Sequence, residues 1–117
     1  YRYLNKRLSI EFPGGGIKTG QTSIETAVAE LKEECGVKAE KFILLGEFNP
    51  FNGVTNEISS VYVAEELSEC KAEPDDTEEF EILRLTYNEI NEKIKTGEIW
   101  DGMTLAAWSL FLTKNYF

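Results

Sequence analysis

Histidine is missing from this chain altogether. That absence excludes a His-based catalytic triad, a histidine-ligated zinc and an imidazole general base. Positive charge is also scarce: 12 Lys and Arg stand against 21 Asp and Glu, a net charge of −9. Nucleic acid and anionic membrane both need a basic face to displace counterions, so neither is an expected partner. A bare anionic substrate is disfavoured for the same reason, and a phosphorylated ligand would need metal ions and local cations to enter. Cysteine is limited to Cys35 and Cys70. Isolated thiols in a chain of this size are expected to stay reduced, which points to the cytoplasm. No apolar run approaches the length of a membrane span. The chain opens on Tyr1-Arg2-Tyr3, which reads as the middle of a longer sequence, so a preceding N-terminal segment is expected.

What is present suits a globular fold. The 117 residues are 42% hydrophobic and 12% aromatic, enough for one domain spanning 1–117. Residues 1–12 alternate apolar and polar and predict a strand or hairpin turning near Asn5-Lys6. Pro13-Gly14-Gly15-Gly16 breaks it. Thr22 and Glu25 form a capping-box pattern that starts a helix, Gly36 fits its end, and Ile24, Ala27, Val28, Leu31 and Cys35 form its expected buried stripe. Strands are predicted over 42–48, 57–65 and 80–86, with a turn-rich loop at 49–53 and a solvated acidic loop from Glu66 to Glu79. Thr86 and Glu89 repeat the capping box for a helix ending near Gly97, and Asp101 caps a last helix reaching about Lys114. The alternation of strands and helices predicts an α/β fold.

Chemistry concentrates between Gly15 and Val37, where a glycine-rich loop runs into the helix carrying Glu30, Glu33 and Glu34. Residues three and four apart share a helix face, so these carboxylates belong to one patch. No Lys or Arg stands at Thr26 or Ala29 to offset them, and such a patch is costly unless a cation is bound. Mg²⁺ suits it, because it takes oxygen ligands and is commonly held by carboxylates plus substrate phosphates. An E-x-x-E-E pattern by itself reads as a solvated face. The rest of the stretch changes that reading.

From Gly15 to Val37 the sequence resembles the Nudix box, G-x5-E-x7-R-E-U-x-E-E-x-G-U with U aliphatic. Gly15 matches the first glycine, Ala29-Glu30-Leu31 the R-E-U segment, Glu33 and Glu34 the paired acids, and Gly36-Val37 the tail, all preceded by a family-like Glu11-Phe12-Pro13-Gly14. Two positions depart from the pattern: Gln21 stands for the first glutamate and Ala29 for the arginine. In the family that arginine helps to orient the catalytic glutamates, so its loss bears on rate more than on binding.

The likeness extends along nearly the whole chain and is closest to the ADP-ribose pyrophosphatase branch. Tyr1-Arg2 resembles that branch's Q-Y-R strand, 52–57 its loop before the next strand, and 78–81 and 97–104 its C-terminal segments. The resemblance implies an α/β/α sandwich around a mixed sheet and a Mg²⁺- or Mn²⁺-dependent hydrolase of ADP-ribose or a related nucleotide sugar. It further implies Glu30 and Glu34 as metal ligands, Glu33 as a further ligand or water-positioning base, and the Gly14 carbonyl as a backbone ligand. Arg2 and Gly15 would contact substrate. Glu78, or else its neighbour Glu79, would be the general base from a later loop. A homodimer is expected on the same ground. The alternative is a non-catalytic Nudix module that binds a nucleotide such as ADP-ribose, which the departures at Gln21 and Ala29 favour.

Overall fold

A computed structural model describes residues 7–70 and 81–114. Helices and a β-sheet build it, bearing out the α/β class. In chain order the elements are α1 (Ser23–Cys35), β1 (Val37–Phe48), β2 (Ser59–Glu69), α2 (Tyr87–Lys95) and α3 (Gly102–Thr113). Among the described residues the sheet is the antiparallel pair β1 and β2. No helix among them is long and apolar enough to cross a membrane. The chain divides into two compact units, one of Tyr1–Phe12, Glu47–Ser59 and Arg84–Phe117, the other of Pro13–Gly46 and Ser60–Leu83.

The second unit holds α1, most of β1 and nearly all of β2. Thr22 caps α1 as expected: its side chain accepts from the Glu25 amide while the Glu25 carboxylate accepts from the Thr22 amide. These bonds satisfy N–H groups that the helix itself cannot pair. At the other end Gly36 adopts φ 66°, a left-handed conformation open to glycine without a Cβ penalty, and its amide donates to Lys32 O. The helix is fastened to β2 by a 2.6 Å hydrogen bond between the Ser23 and Tyr62 hydroxyls. Tyr62 meets Phe42 of β1 edge to face, with ring centroids 6.5 Å apart. Leu45 on β1 is 5% exposed.

The first unit contains α2 and α3. Thr86 and Glu89 complete the second capping box, and Asp101 accepts from the Thr104 amide to start α3. Trp108 is 7% exposed and lies against Phe12, Tyr87 and Phe111, stacking on the last at 5.0 Å. Its indole N–H donates to Asn91 Oδ1 at 2.9 Å, pinning α3 to α2. Upstream, the Trp100 indole donates to Leu8 O, and the Arg7 guanidinium lies 4.6 Å over the same ring.

Several expectations are corrected. Residues 7–12 hold a single bridge residue at Arg7 in place of a strand, and 81–86 form no strand. Alternation signals a half-buried strand only where a neighbouring strand pairs with it, and the described residues supply none for these segments. β2 runs past Glu65 to Glu69, so the start of the acidic segment is strand, bent at Glu66 with φ 59°. β1 begins at Val37, five residues before the apolar run. The stripe on α1 is only partly buried: Ile24 and Val28 are 41% and 43% exposed, and the buried residue of the helix is Thr26. A hydrophobic stripe is covered only as far as a neighbouring element reaches across it.

Candidate active site

The loop from Pro13 to Gly20 is exposed, while Glu30, Glu33 and Glu34 are half-buried on α1. The loop folds back onto the acidic face. Gly14 N–H donates to Glu34 Oε1 at 2.9 Å. Gly15 lies so close to Glu30 that an added Cβ would stand 2.6 Å from its Cδ and 3.2 Å from its Cγ. A Cβ there would push the Glu30 carboxylate aside, so glycine at 15 is what allows this approach. Glu30 and Glu34, one helical turn apart, thus each meet the backbone of adjacent glycines.

Of the sequence-derived site, the structure therefore brings together Gly14, Gly15, Glu30 and Glu34. Glu33 shares their helix. Among the described residues no three carboxylate or thiol side chains stand as a ready group around one point. Gly14 N–H holds one Glu34 oxygen. The donors fit a hard divalent cation in kind: two half-buried carboxylates beside an exposed glycine backbone whose carbonyls are themselves oxygen ligands. Arg2, Glu78 and Glu79 lie outside the described residues.

Cys35 follows the acids directly. Burial first, and then the Glu34 carboxylate, push its thiol above the ordinary range. Such a thiol stays protonated and is a weak nucleophile.

Two contributions were not legible from the motif. Ser23 ties the start of α1 to Tyr62, a cross-element bond that no local pattern announces. Thr26 hydrogen-bonds both Gln21 Oε1 at 3.1 Å and Thr22 O at 3.2 Å. A threonine four residues after an N-cap, able to bond back to that carbonyl, is the sequence signal that could have found it.

A glycine loop closed onto an E-x-x-x-E pair at the start of an α/β unit defines a class. The NUDIX domain matches residues 2–107, and the chain belongs to the NUDIX family. It is similar to the ADP-ribose pyrophosphatase of Bacillus subtilis (strain 168), 34% identical over 104 residues, which cover 87% of this chain and 56% of that protein. It is similar also to the methanol dehydrogenase activator of Bacillus methanolicus, 34% identical over 109 residues, which cover 92% of this chain and 59% of that protein. The chain spans less than two thirds of the length of either relative.

Proposed function

We propose that this chain belongs to a metal-dependent hydrolase that splits the diphosphate bond of ADP-ribose or a related nucleotide sugar into a nucleoside monophosphate and a sugar phosphate. The observation that carries the reading is the packing of Gly14 and Gly15 onto Glu34 and Glu30. It joins a backbone able to approach a diphosphate closely to the carboxylates that would hold its counterion.

Glu30, Glu34 and the Gly14 carbonyl would hold Mg²⁺ or Mn²⁺, with Glu33 as a further ligand or as the group that orients water. When bound, the cation neutralises diphosphate charge and polarises the P–O bond that breaks. Gly15, lacking a side chain, lets the diphosphate approach the loop, and Arg2 would grip phosphate oxygens through its planar guanidinium. A water attacks one phosphorus, the bridging P–O bond breaks, and the bridging oxygen leaves on the other phosphate. A carboxylate accepts the water's proton. Glu78, or Glu79 beside it, is proposed for that task, which requires reach to the water directly or through one further water. The free cysteines suit a cytoplasmic enzyme, and a homodimer belongs to the same reading.

The test is release of monophosphate and sugar phosphate from ADP-ribose, other nucleotide sugars, NADH and diadenosine polyphosphates by the full-length protein, with and without Mg²⁺. Metal-dependent turnover selective for ADP-ribose supports the reading. The relative named as a methanol dehydrogenase activator, together with Gln21 and Ala29, favours a second reading, a nucleotide-binding module. Tight ADP-ribose binding by calorimetry without turnover of any substrate would select it.

A further inference from the structure

Cys35 and Cys70 are isolated in the sequence and neighbours in the fold. Cys35 is the last residue of α1, and Gly36 turns the chain from that helix into β1. Cys70 follows β2, and its amide donates to Gly36 O at 2.9 Å. The bond closes one end of the β1–β2 ladder, inside the compact unit that holds both cysteines. Residues that face each other across such a pair have α-carbons about 5.5 Å apart. Cys35 is one residue from Gly36, a step of about 3.8 Å. Its α-carbon therefore stands at most about 9 Å from that of Cys70. A disulfide spans about 4.4–6.8 Å between α-carbons. Both thiols are free and half-buried. Any remaining gap is closed by movement of Cys70, which lies just past the end of its strand.

Such a bridge would reach the acidic patch. Glu34 directly precedes Cys35, Glu33 stands one residue earlier, and Gly14 N–H holds Glu34 Oε1. Drawing Cys35 toward Cys70 pulls on the last turn of α1, and with it on the carboxylate that seats the glycine loop.

We propose that Cys35 and Cys70 form a redox modification site, in which a low-molecular-weight disulfide bridges them and shifts the neighbouring acids from their productive geometry. The consequence for turnover rests on the hydrolase reading; the bridge does not. Cys70 Sγ, as thiolate, attacks one sulfur of the small disulfide, whose S–S bond breaks and releases one thiol. Cys35 Sγ then attacks the mixed disulfide at Cys70, gives up its proton and displaces the second thiol. Two protein thiols are oxidised to one disulfide and the reagent's disulfide is reduced to two thiols, so protons and electrons balance. Cys35 is a weak nucleophile while protonated. Its place beside the mixed disulfide makes the second step intramolecular, which offsets that weakness.

The experiment treats the full-length protein with oxidised glutathione, alkylates the remaining thiols and maps the peptides by mass, alongside Cys35→Ala and Cys70→Ala. Before and after oxidation it follows ADP-ribose turnover, the Mg²⁺ concentration for half-activation and Mn²⁺ affinity. The parent should yield peptides joined through Cys35 and Cys70 within one chain. Its turnover should fall about tenfold and its Mg²⁺ demand rise, as when the support of a metal ligand is disturbed. Dithiothreitol should restore both, and neither variant should lose activity to the oxidant. Glutathione left on one cysteine with no bridge, or a bridge only between two chains, would overturn the site. A bridged protein with unchanged turnover and Mn²⁺ affinity would overturn the switch. If the reduced parent hydrolyses nothing, the hydrolase reading fails separately. The peptide map and the Mn²⁺ affinity then decide the proposal, a bridge that weakens Mn²⁺ binding supporting it and a bridge that leaves it unmoved overturning it.

Discussion

Helices α1 and α3 have nearly the same length and opposite fates. The 13 residues of α1 include four glutamates and a lysine, and its apolar Ile24 and Val28 remain more than 40% exposed. The 12 residues of α3 include no charged side chain, and Trp108 and Thr104 on it are buried. A carboxylate that must meet a cation and water cannot be sealed in an apolar interior without a desolvation cost. The proposed chemistry therefore falls on a helix fastened by its caps, by Ser23 on Tyr62 and by a glycine loop. The ring cluster around Trp108 stands with α2 and α3. Reactive groups drawn from the less buried part of a fold are what local stability arguments lead one to expect.

Substitutions in the two regions should separate stability from turnover. Trp108→Ala removes three ring contacts and the bond to Asn91, and should cost about 3–5 kcal/mol in chemical denaturation. The protein that stays folded should keep its kcat. Gly15→Ala should do the reverse. Its Cβ meets Glu30, so turnover should fall about 100-fold, as when a ligand's support is displaced. Because the loop is exposed, Tm should stay within a few degrees. A Gly15→Ala enzyme of full activity would break the contrast.

Matched caps sharpen it further. Thr22→Ala and Thr86→Ala each remove a capping box and should each cost about 1 kcal/mol in the same assay. Only Thr22→Ala should also slow turnover, because the glycine loop enters α1 at that end, where Thr26 bonds both Gln21 and Thr22. The smallest effect is one of pH. Bonds from the Thr86 amide and hydroxyl hold the Glu89 carboxyl below its ordinary value. A depressed folded pKa means that the stabilisation is complete above the unfolded value of about 4.3 and fades as pH falls through the lower folded one. The protection of amides at the start of α2, taken relative to their intrinsic exchange at each pH, should therefore fall on acidification in that window, and a Glu89→Gln variant should lose the dependence.

The sequence was most legible where structure is local. Thr22 with Glu25, Thr86 with Glu89, Asp101 and Gly36 mark helix ends that the structure reproduces, because a cap is settled within a few residues. Strand assignments failed at 7–12 and 81–86, and β2 outran its apolar alternation into Glu66–Glu69, because pairing depends on distant partners. The site divides in the same way. Motif spacing identified Gly14, Gly15, Glu30 and Glu34, and the structure joins them. The bond from Thr26 to Gln21, which joins the end of the loop to the helix, is shown only by the fold.

The most direct test of the account compares the full-length parent with Glu34→Gln for ADP-ribose hydrolysis across a Mg²⁺ titration, with Mn²⁺ affinity measured on both. The amide keeps an oxygen for the Gly14 N–H but loses the charge that would hold a cation. The account predicts a fall in turnover of about 1,000-fold or more, on the order of 4 kcal/mol, together with weakened Mn²⁺ binding and an unchanged Tm. A Glu34→Gln protein that turns over ADP-ribose at the parent's rate and binds Mn²⁺ as tightly would contradict it.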